Sequence, residues 1–360
     1  MLSVIVPAAE GRLSNLNLVL TSLGAQTLPR DLFEVIVVSD GGQDSFADVL
    51  KMHAALNPIF VHQPKHDPLA SAWGARLKAE LPDTLWAINS PEAEAWQQAR
   101  RDFFLELVAA WDARRDAVTT QPRNRGARNA RFPFLIFADS DVVLHPRALE
   151  YYAEDFTKNP NRIVCGLYHW LRPMRVSPAD VRHRFDDILN ERLPHLNIMP
   201  NAHSIMRDPR AQTFSQYSPD HTFAPTTPAE KYQQYPAYLN CFSGNIGWAA
   251  DLFWRIGGYW DALAVGAHED GASGVAACVA GVPLSFDARI VGGHINHSYN
   301  AAYRARQWLF EIPLINARFG LGDFKRADEL NDHLPALQTM SAENLRWLGV
   351  WDWDPARRKE

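Results

Sequence analysis

Two short β-branched runs that enclose a leucine pattern of helical spacing constrain the fold of this chain more than any other feature. The first run spans residues 2–6 and ends at Pro7, and the second spans residues 33–38 and ends at a glycine turn. Three leucines recur between them at helical spacing: Leu16, Leu20 and Leu23. The first forty residues therefore predict a β-α-β unit with parallel strands and a right-handed crossover.

Ligands of parallel sheets gather at the carboxyl ends of the strands. The segments that follow the two predicted strands are residues 7–11 and 39–44. We therefore expect both segments to lie at the binding edge of the sheet.

The length of 360 residues exceeds the usual size of one domain, so we expect one large α/β domain with additions or two closely merged domains. The predicted halves are residues 1–145, with a helical insertion at about 64–122, and residues 146–300. Residues 172–234 are predicted to form a long loop over the sheet, and residues 301–360 a helical extension.

Shorter patterns predict the later elements. Residues 132–138 are an apolar strand that ends at Asp139, and Pro146 suits the first position of a helix that begins near His145. The remaining predictions are helices at 249–256 and 271–280 and two short strands at 282–286 and 289–291.

Composition excludes several classes of protein. The chain is 47% hydrophobic and 21% charged with a net charge of −5, which is typical of a globular protein and argues against nucleic acid as a partner. The three cysteines are widely spaced, which predicts buried, reduced thiols: Cys165, Cys241 and Cys278. No apolar run reaches the roughly 20 residues of a membrane helix, and the start lacks signal-peptide features. We expect a cytoplasmic protein, with peripheral membrane contact left open.

Asp139-Ser140-Asp141 follows the most apolar predicted strand. In an extended chain the two carboxylates point to one side, and hard oxygen ligands at that spacing suit Mg²⁺ or Mn²⁺ shared with phosphates. The alternative is that Asp141 caps a turn and Asp139 is solvated. The pair alone does not decide between them.

Two further groups could carry chemistry. Glu269-Asp270 introduces a predicted helix, where either carboxylate can cap the helix or act as a general base. His294 and His297 follow a predicted strand, and one of them is a candidate metal ligand that would favour Mn²⁺. Each can also be an ordinary structural residue.

Three arginines precede the aspartate motif and can offer planar donors to a diphosphate or an acidic partner. Solvated surface arginines are the alternative. They are Arg125, Arg128 and Arg131.

Taken in order, these segments resemble the family 2 glycosyltransferases. The residues that carry the resemblance are Ser3-Val4-Ile5-Val6-Pro7, Leu23 with Gln26-Thr27, Val35-Ile36-Val37-Val38-Ser39-Asp40-Gly41-Gly42, Gly126-Ala127-Arg128-Asn129, Asp139-Ser140-Asp141, Phe242-Ser243-Gly244-Asn245, Gly257-Gly258-Tyr259-Trp260-Asp261 and Glu269-Asp270. The resemblance implies the GT-A fold, with a Rossmann-like, mostly parallel sheet flanked by helices. It makes residues 1–145 the half that binds a nucleotide sugar and residues 146–300 the acceptor-binding half.

The resemblance also implies roles for individual residues. The nucleotide-sugar donor, a UDP- or GDP-sugar, would be bound by a set drawn from four segments: Pro7, Ala8, Glu10, Asp40, Arg128, Asp139 and Ser140. Asp141 would be the principal ligand of Mn²⁺ or Mg²⁺, joined by His294 or His297. Asp270, with Glu269 beside it, would be the base of an inverting transfer to a saccharide, lipid or small-molecule acceptor.

The sequence departs from the family pattern in two places. Ser39-Asp40 stands where two acids are usual, and Gly42 replaces a serine or threonine. The alternatives to an inverting transferase are a nucleotidyltransferase, a non-catalytic nucleotide-binding protein on the same fold, and a retaining glycosyltransferase.

Overall fold

The computed structural model shows a mixed sheet with helices on both of its faces. It describes residues 1–42, 44–66, 95–96, 99–112, 121–171, 176–190, 221–227, 229–230, 234, 237–238, 240–263, 269–295, 311, 314–315 and 317–318. All structural statements below concern these residues.

The predicted β-α-β unit is confirmed. Strand β1 (Leu2–Ala9) is followed by helix α1 (Leu13–Gly24) and strand β2 (Phe33–Asp40). The two strands pair in parallel from Leu2 opposite Phe33 to Ala9 opposite Asp40. Both strands are buried almost throughout, and α1 buries its leucines, because the helix covers one face of the sheet while others cover the opposite face.

The other strands are short. Their bounds are β3 (Ile59–Val61), β4 (Phe134–Ala138), β5 (Val142–Leu144), β6 (Ile163–Trp170), β7 (Thr222–Phe223), β8 (Asn245–Ala249) and β9 (Leu284–His294).

The helices after α1 vary from five to twelve residues. Their bounds are α2 (Ala47–Met52), α3 (Arg101–Asp112), α4 (Pro122–Arg128), α5 (Ala148–Lys158), α6 (Pro178–His183), α7 (Phe185–Leu189), α8 (Ala250–Arg255) and α9 (Glu269–Val279).

The sheet has two parts. Strands β3, β2, β1 and β4 form a parallel run, and the order continues through β8, β6, β9 and β5 with β7 at the side of β9. Strand β8 is antiparallel to both of its neighbours, whereas β6 and β9 are parallel. This architecture confirms the predicted α/β class.

One long strand, β9, replaces the two short strands predicted at 282–286 and 289–291. Ala288 and Arg289 are exposed in its middle, which made the pattern look like a turn. They lie in an irregular segment, because β6 residues Gly166 and Leu167 pair with Asp287 and Val291. The prediction of two strands was therefore wrong.

The side chain of Asn245 stabilises this irregular segment. Its amide donates hydrogen bonds to the carbonyls of Leu167 at 2.8 Å and Ile290 at 3.2 Å. Its carbonyl oxygen accepts from the Tyr152 hydroxyl at 2.9 Å. The last residue of Phe242-Ser243-Gly244-Asn245 thus joins the carboxyl halves of β6 and β9.

The helix predicted to begin near His145 begins at Ala148 instead. The N–H of Ala148 donates to the carbonyl of His145 at 2.8 Å, so residues 145–148 form a turn before the helix. The carbonyl of Pro146 accepts from the N–H of Thr27 at 2.8 Å, which ties this turn to the end of α1.

Two hydrophobic clusters lie on opposite faces of the sheet, with α1 and α5 on one side and α8 and α9 on the other. All three cysteines are buried and free, as predicted. Among the described residues, no helix combines the length and apolarity needed to cross a bilayer.

Much of the predicted insertion at 64–122 and of the predicted loop at 172–234 lies outside the described residues, as does most of 301–360. Helix α3 belongs to the insertion. Its Phe104 and Leu107 pack in a cluster with Trp260 and Leu314. The insertion therefore packs against residues close in sequence to α9.

Gly126 allows α4 to lie directly on β1. A Cβ atom at this position would collide with Cγ2 of Ile5 and lie 3.1 Å from Cγ2 of Val38. We expect Gly126→Ala to lower the free energy of unfolding by about 1–3 kcal/mol in chemical denaturation, because overpacking forces helix and strand apart. The control is Gly24→Ala, where the nearest atoms are 4.0 Å away on Leu56 and the expected change is within about 1 kcal/mol. Equal effects of the two substitutions would contradict the close contact.

Candidate active site

The carboxyl ends of β1, β2 and β4 lie side by side and place several predicted residues at one edge of the sheet. Ala8 pairs with Ser39, and Ile5 pairs with Phe137 two residues before Asp139. Pro7, Ala8, Asp40 and Asp139 are thereby brought to the edge where ligands of parallel sheets bind.

Asp40 is half-buried and held in place by the segment that follows β3. Its Oδ1 accepts a hydrogen bond from the N–H of His66 at 2.5 Å, and the imidazole Nε2 of His66 lies 2.8 Å from the carbonyl of Leu263. Burial raises the pKa of Asp40, and the N–H of His66 opposes that rise. The segment after β3 was not among the predicted site residues, because its sequence gives no signal of its own.

Glu10 lies against the glycine turn after β2. Gly41 and Gly42 have φ values of +80° and +63°, and a Cβ atom on Gly42 would lie 2.9 Å from the carboxyl carbon of Glu10. This contact and the left-handed backbone explain why glycine stands where the resembled family has serine or threonine.

Asp139-Ser140-Asp141 forms a turn between β4 and β5. The N–H of Val142 donates to the carbonyl of Asp139 at 3.0 Å. The prediction that the motif is extended is therefore wrong. Asp139 contacts Arg123, whereas Asp141 contacts Arg12 and His294. Ser140 is buried in the turn.

His294 is the predicted histidine that meets Asp141. Its Nε2 lies 3.5 Å from Oδ1 of Asp141, and both side chains are buried. The pairing of Val142 with His294 across β5 and β9 fixes this arrangement. His297 lies outside the described residues.

Protein ligands for a cation are few at this point. Among the described residues, no three histidine, cysteine, aspartate or glutamate side chains are grouped to hold a metal ion. Asp141 and His294 supply one carboxylate and one imidazole, which is the donor chemistry that Mn²⁺ accepts.

Arg123 joins the two acidic segments of the site. Its guanidinium donates to Asp139 and, at 3.1 Å, to Oε1 of Glu269, and its side chain is 2% exposed. Burial lowers the pKa of Arg123, but the carboxylates of Asp139, Glu269 and Asp270 outweigh that effect and raise it above its ordinary value. Arg123 therefore stays charged between acids that come from opposite halves of the chain.

The turn at Gly257-Gly258-Tyr259-Trp260-Asp261 holds the helix that carries Arg123. Asn124 accepts from the N–H of Tyr259 at 2.8 Å and donates to its carbonyl at 2.6 Å. The N–H of Gln121 donates to Asp261 at 3.0 Å, and the Arg123 guanidinium lies 5.4 Å from the centre of the Tyr259 ring. These contacts fix the first turn of α4 at the acidic edge. By this name we mean the part of the sheet's carboxyl edge that carries Asp139, Asp141, Glu269 and Asp270.

Arg128 occupies the other end of α4. It is exposed, and its guanidinium lies 5.8 Å from the ring of Trp254, in the helix that follows β8. Arg131 likewise pairs with Glu34 near the start of β2. The structure thus brings Arg123, and not Arg128, to Asp139. The sequence contains two Arg-Asn pairs, at 123–124 and 128–129, and only the first follows a proline at a helix start.

Glu269 and Asp270 open helix α9 but differ in their surroundings. Glu269 is fully buried and bound to Arg123, whereas Asp270 is half-buried. Oδ1 of Asp270 is buried and accepts no hydrogen bond from the described residues. Burial raises the pKa of Asp270 to about 8, and the carboxylate of Glu269 adds to the rise while Arg123 opposes it.

Comparisons with known proteins give a partial sequence match and a shared fold. Residues 3–83 match the sequence model of the family described as glycosyl transferase family 2. No curated protein sequence matches the chain. The solved structure of TarS from S. aureus superposes with a TM-score of 0.50 at 15% identity, over 95% of this chain and 44% of that one. This chain therefore spans less than half of that longer protein.

Two further solved structures superpose with lower scores. TarS residues 1–349 in complex with UDP-GlcNAc give a TM-score of 0.49 at 15% identity, over 99% of this chain and 77% of that one. The mannosyltransferase PcManGT from Pyrobaculum calidifontis, in complex with GDP-Man and Mn²⁺, gives 0.45 at 13% identity, over 99% and 77%.

The order of the strands and the superposition on TarS show the GT-A fold. The match of residues 3–83 to the family 2 model agrees with the resemblance read from the sequence, over the first part of the chain.

The raised pKa of Asp270 predicts a pH-dependent loss of stability. A carboxyl group whose folded pKa is raised stabilises the fold below its unfolded pKa, and that contribution is lost as pH rises towards the folded pKa of about 8. We expect the free energy of unfolding of Asp270→Asn, relative to wild type, to increase by more than about 1 kcal/mol between about pH 5 and about pH 9. Denaturant unfolding in a chelator measures the difference.

The control for this prediction is Asp48→Asn, on the exposed surface of α2. It removes an exposed carboxylate from a helix that carries none of the acids paired with Arg12 or Arg123. A stability difference for Asp270→Asn that stays constant with pH would contradict the prediction.

Proposed function

We propose that the protein transfers a sugar from a nucleotide-diphosphate sugar to an acceptor hydroxyl, with a divalent cation and with inversion at the anomeric carbon. The observation that carries the proposal is the different environment of Glu269 and Asp270. One carboxylate is bound to Arg123 and buried, and the other keeps a buried oxygen that accepts no hydrogen bond from the described residues. Such a pair supplies one fixed structural acid and one group able to accept a proton.

The donor would bind along the parallel edge of the sheet. Pro7, Ala8 and Glu10 follow or end β1, and Asp40 ends β2, so these residues would surround the nucleoside. The position of Asp139 and Ser140 at the end of β4 supports contacts with the ribose or the donor sugar. Strand ends of this kind hold nucleotides in other doubly wound sheets.

Asp141 and His294 would hold the cation. A buried carboxylate facing an imidazole at 3.5 Å fits Mn²⁺, and also Mg²⁺ if the carboxylate alone binds it. When bound, the cation supplies positive charge for the departing nucleotide diphosphate. The residues' own part is to keep one carboxylate and one imidazole oriented, which the pairing of β5 with β9 achieves.

Asp270 would accept the proton of the attacking hydroxyl. A pKa of about 8 makes Asp270 a stronger base than an ordinary carboxylate, because its neutral form is favoured in the free protein. Arg123 would limit that rise by holding the charges of Asp139 and Glu269. Glu269 would act as a positioning residue, since its carboxylate is bound to Arg123.

Removing the proposed metal ligand should abolish cation-dependent nucleotide binding. For Asp141→Asn we expect the affinity for UDP or GDP in the presence of Mn²⁺ to fall by about tenfold or more, since a ligand lost from such a site is replaced poorly. Calorimetric titration with each nucleotide, with and without Mn²⁺, measures the effect and identifies the preferred base. Binding that is independent of the metal in the wild type would favour a non-catalytic nucleotide-binding protein.

Removing the proposed base should affect turnover more than donor binding. For Asp270→Asn we expect kcat for donor hydrolysis or transfer to fall about 10²- to 10⁴-fold with nucleotide affinity nearly unchanged. The matched variant is Glu269→Gln, for which part of the loss should appear as lower stability, because it leaves Arg123 with a buried charge less well paired. Undiminished kcat in Asp270→Asn would assign the base elsewhere.

A further inference from the structure

Arg12 reaches the carboxylate that the proposed function assigns to the cation. It ends the short turn Glu10–Arg12 that connects β1 to α1, and its guanidinium donates to Oδ2 of Asp141. None of the sequence motifs pointed to this arginine. The contact spans 129 residues of sequence and joins the first strand's loop to the aspartate turn.

The two partners differ in their freedom to move. The side chain of Arg12 is 33% exposed, whereas that of Asp141 is 5% exposed. Among the described residues, no atom lies within 4 Å of where a Cβ on Gly11, next to Arg12, would lie. Asp141 is therefore the fixed member of the pair, and Arg12 is the member that can reorient without disturbing the core.

Asp141 lies between two nitrogen groups. Its Oδ2 accepts from Arg12, and its Oδ1 faces Nε2 of His294 at 3.5 Å. A cation bound by Asp141 and His294 would bring two positive charges next to the Arg12 guanidinium. Like charges at such a distance repel strongly at a buried site, so the cation and the present position of Arg12 oppose each other.

Carboxylates outnumber guanidiniums among the described residues of the acidic edge, so the charges there favour a further cation. In the part of the chain that the structure describes, four carboxylates line this edge, from Asp139, Asp141, Glu269 and Asp270, and two guanidiniums face them, from Arg12 and Arg123. Arg123 is bound to two of these acids and fully buried, so it cannot leave. Arg12 is therefore the arginine that can leave the carboxylate of Asp141 and bind another anion instead.

We propose that Arg12 is a donor-binding residue that competes with the divalent cation for Asp141 and turns to the donor's diphosphate when the cation binds. The proposal rests on the proposed function, because it needs Asp141 as the cation ligand. Planar guanidinium groups bind phosphate oxygens in the same fork geometry as carboxylates, so the exchange keeps the hydrogen bonds of Arg12 satisfied. The cation and the nucleotide would then each bind tightly only when the other is also bound.

The test measures Mn²⁺ binding directly, from the electron paramagnetic resonance signal of free Mn²⁺, with no turnover involved. The full chain is titrated as wild type, Arg12→Gln, Arg12→Lys and Asp141→Asn, with and without UDP. The control is Arg147→Gln, which removes an exposed arginine paired with Glu150 and distant from the acidic edge. GDP replaces UDP if the earlier titration shows that preference.

For Arg12→Gln we expect Mn²⁺ alone to bind at least about threefold more tightly than in the wild type, because the competing charge is gone. Nucleotide in the presence of Mn²⁺ should bind at least about threefold more weakly, because a phosphate contact is lost. Arg12→Lys should lie between the two, and Arg147→Gln should match the wild type.

Two results would overturn the proposal on its own. If Arg12→Gln binds Mn²⁺ no more tightly than the wild type does, Arg12 does not compete with the cation. If its affinity for the nucleotide is unchanged, Arg12 does not contact the diphosphate. Both must be read beside Asp141→Asn. If that variant binds Mn²⁺ like the wild type, the metal role in the proposed function fails and the competition fails with it.

Discussion

The acidic edge depends on the ion pairs of Arg123 more than on any other interaction. A guanidinium that is 2% exposed lies between a carboxylate from the end of β4 and one from the start of α9. A buried charge of either sign is unfavourable unless it is paired and hydrogen-bonded, so each of these groups needs the others in position. The two halves of the chain are therefore joined at the place where donor and acceptor would meet. The Asn124 contacts to Tyr259 keep the helix that carries Arg123 from turning away.

The mixed sheet explains how residues far apart in sequence converge on one edge. Parallel strands β1, β2 and β4 bring their carboxyl ends together, which places Pro7, Asp40 and Asp139 side by side. The antiparallel pairing of β5 with β9 then brings the carboxyl end of β9 back, so that His294 lies beside Asp141. A purely parallel sheet would not return a late strand to the aspartate turn in this direction. The antiparallel part is thus what makes an imidazole available to the site.

Sequence patterns predicted the parts of this arrangement that arise from local periodicity. The β-α-β unit followed from two apolar runs and three leucines, because burial on both faces of a sheet leaves a clear pattern. The single strand β9 was missed, since an exposed pair at Ala288 and Arg289 looks the same in a bulge as in a turn. Arg123 was missed because the family resemblance pointed to Arg128-Asn129, five residues further along the chain. Only the tertiary contacts show which of the two arginines reaches Asp139.

Distinguishing Glu269 from Asp270 also required tertiary contacts. Neighbouring acids can contact different side chains, because helix packing and strand pairing determine which residues lie opposite each of them. Gly274 in α9 illustrates the precision involved, because a Cβ atom there would collide with the carbonyl of Tyr238. The close approach of α9 to that backbone sets the depth of Glu269 and leaves Asp270 half-buried at the edge.

The electrostatics of the edge oppose stability and favour chemistry for the same reason. Burial and Glu269 raise the pKa of Asp270 to about 8, so the fold loses stability as pH rises towards that value, a loss that an asparagine at this position would not show. Under the proposed function, a bound cation and the proton that Asp270 takes from the acceptor hydroxyl would each relieve part of this unfavourable charge. Binding of the proposed substrates would therefore recover part of the stability that the unliganded fold lacks at Asp270. Arg123 sets the extent of this effect, since without its charge the four carboxylates would not remain close together in a folded chain.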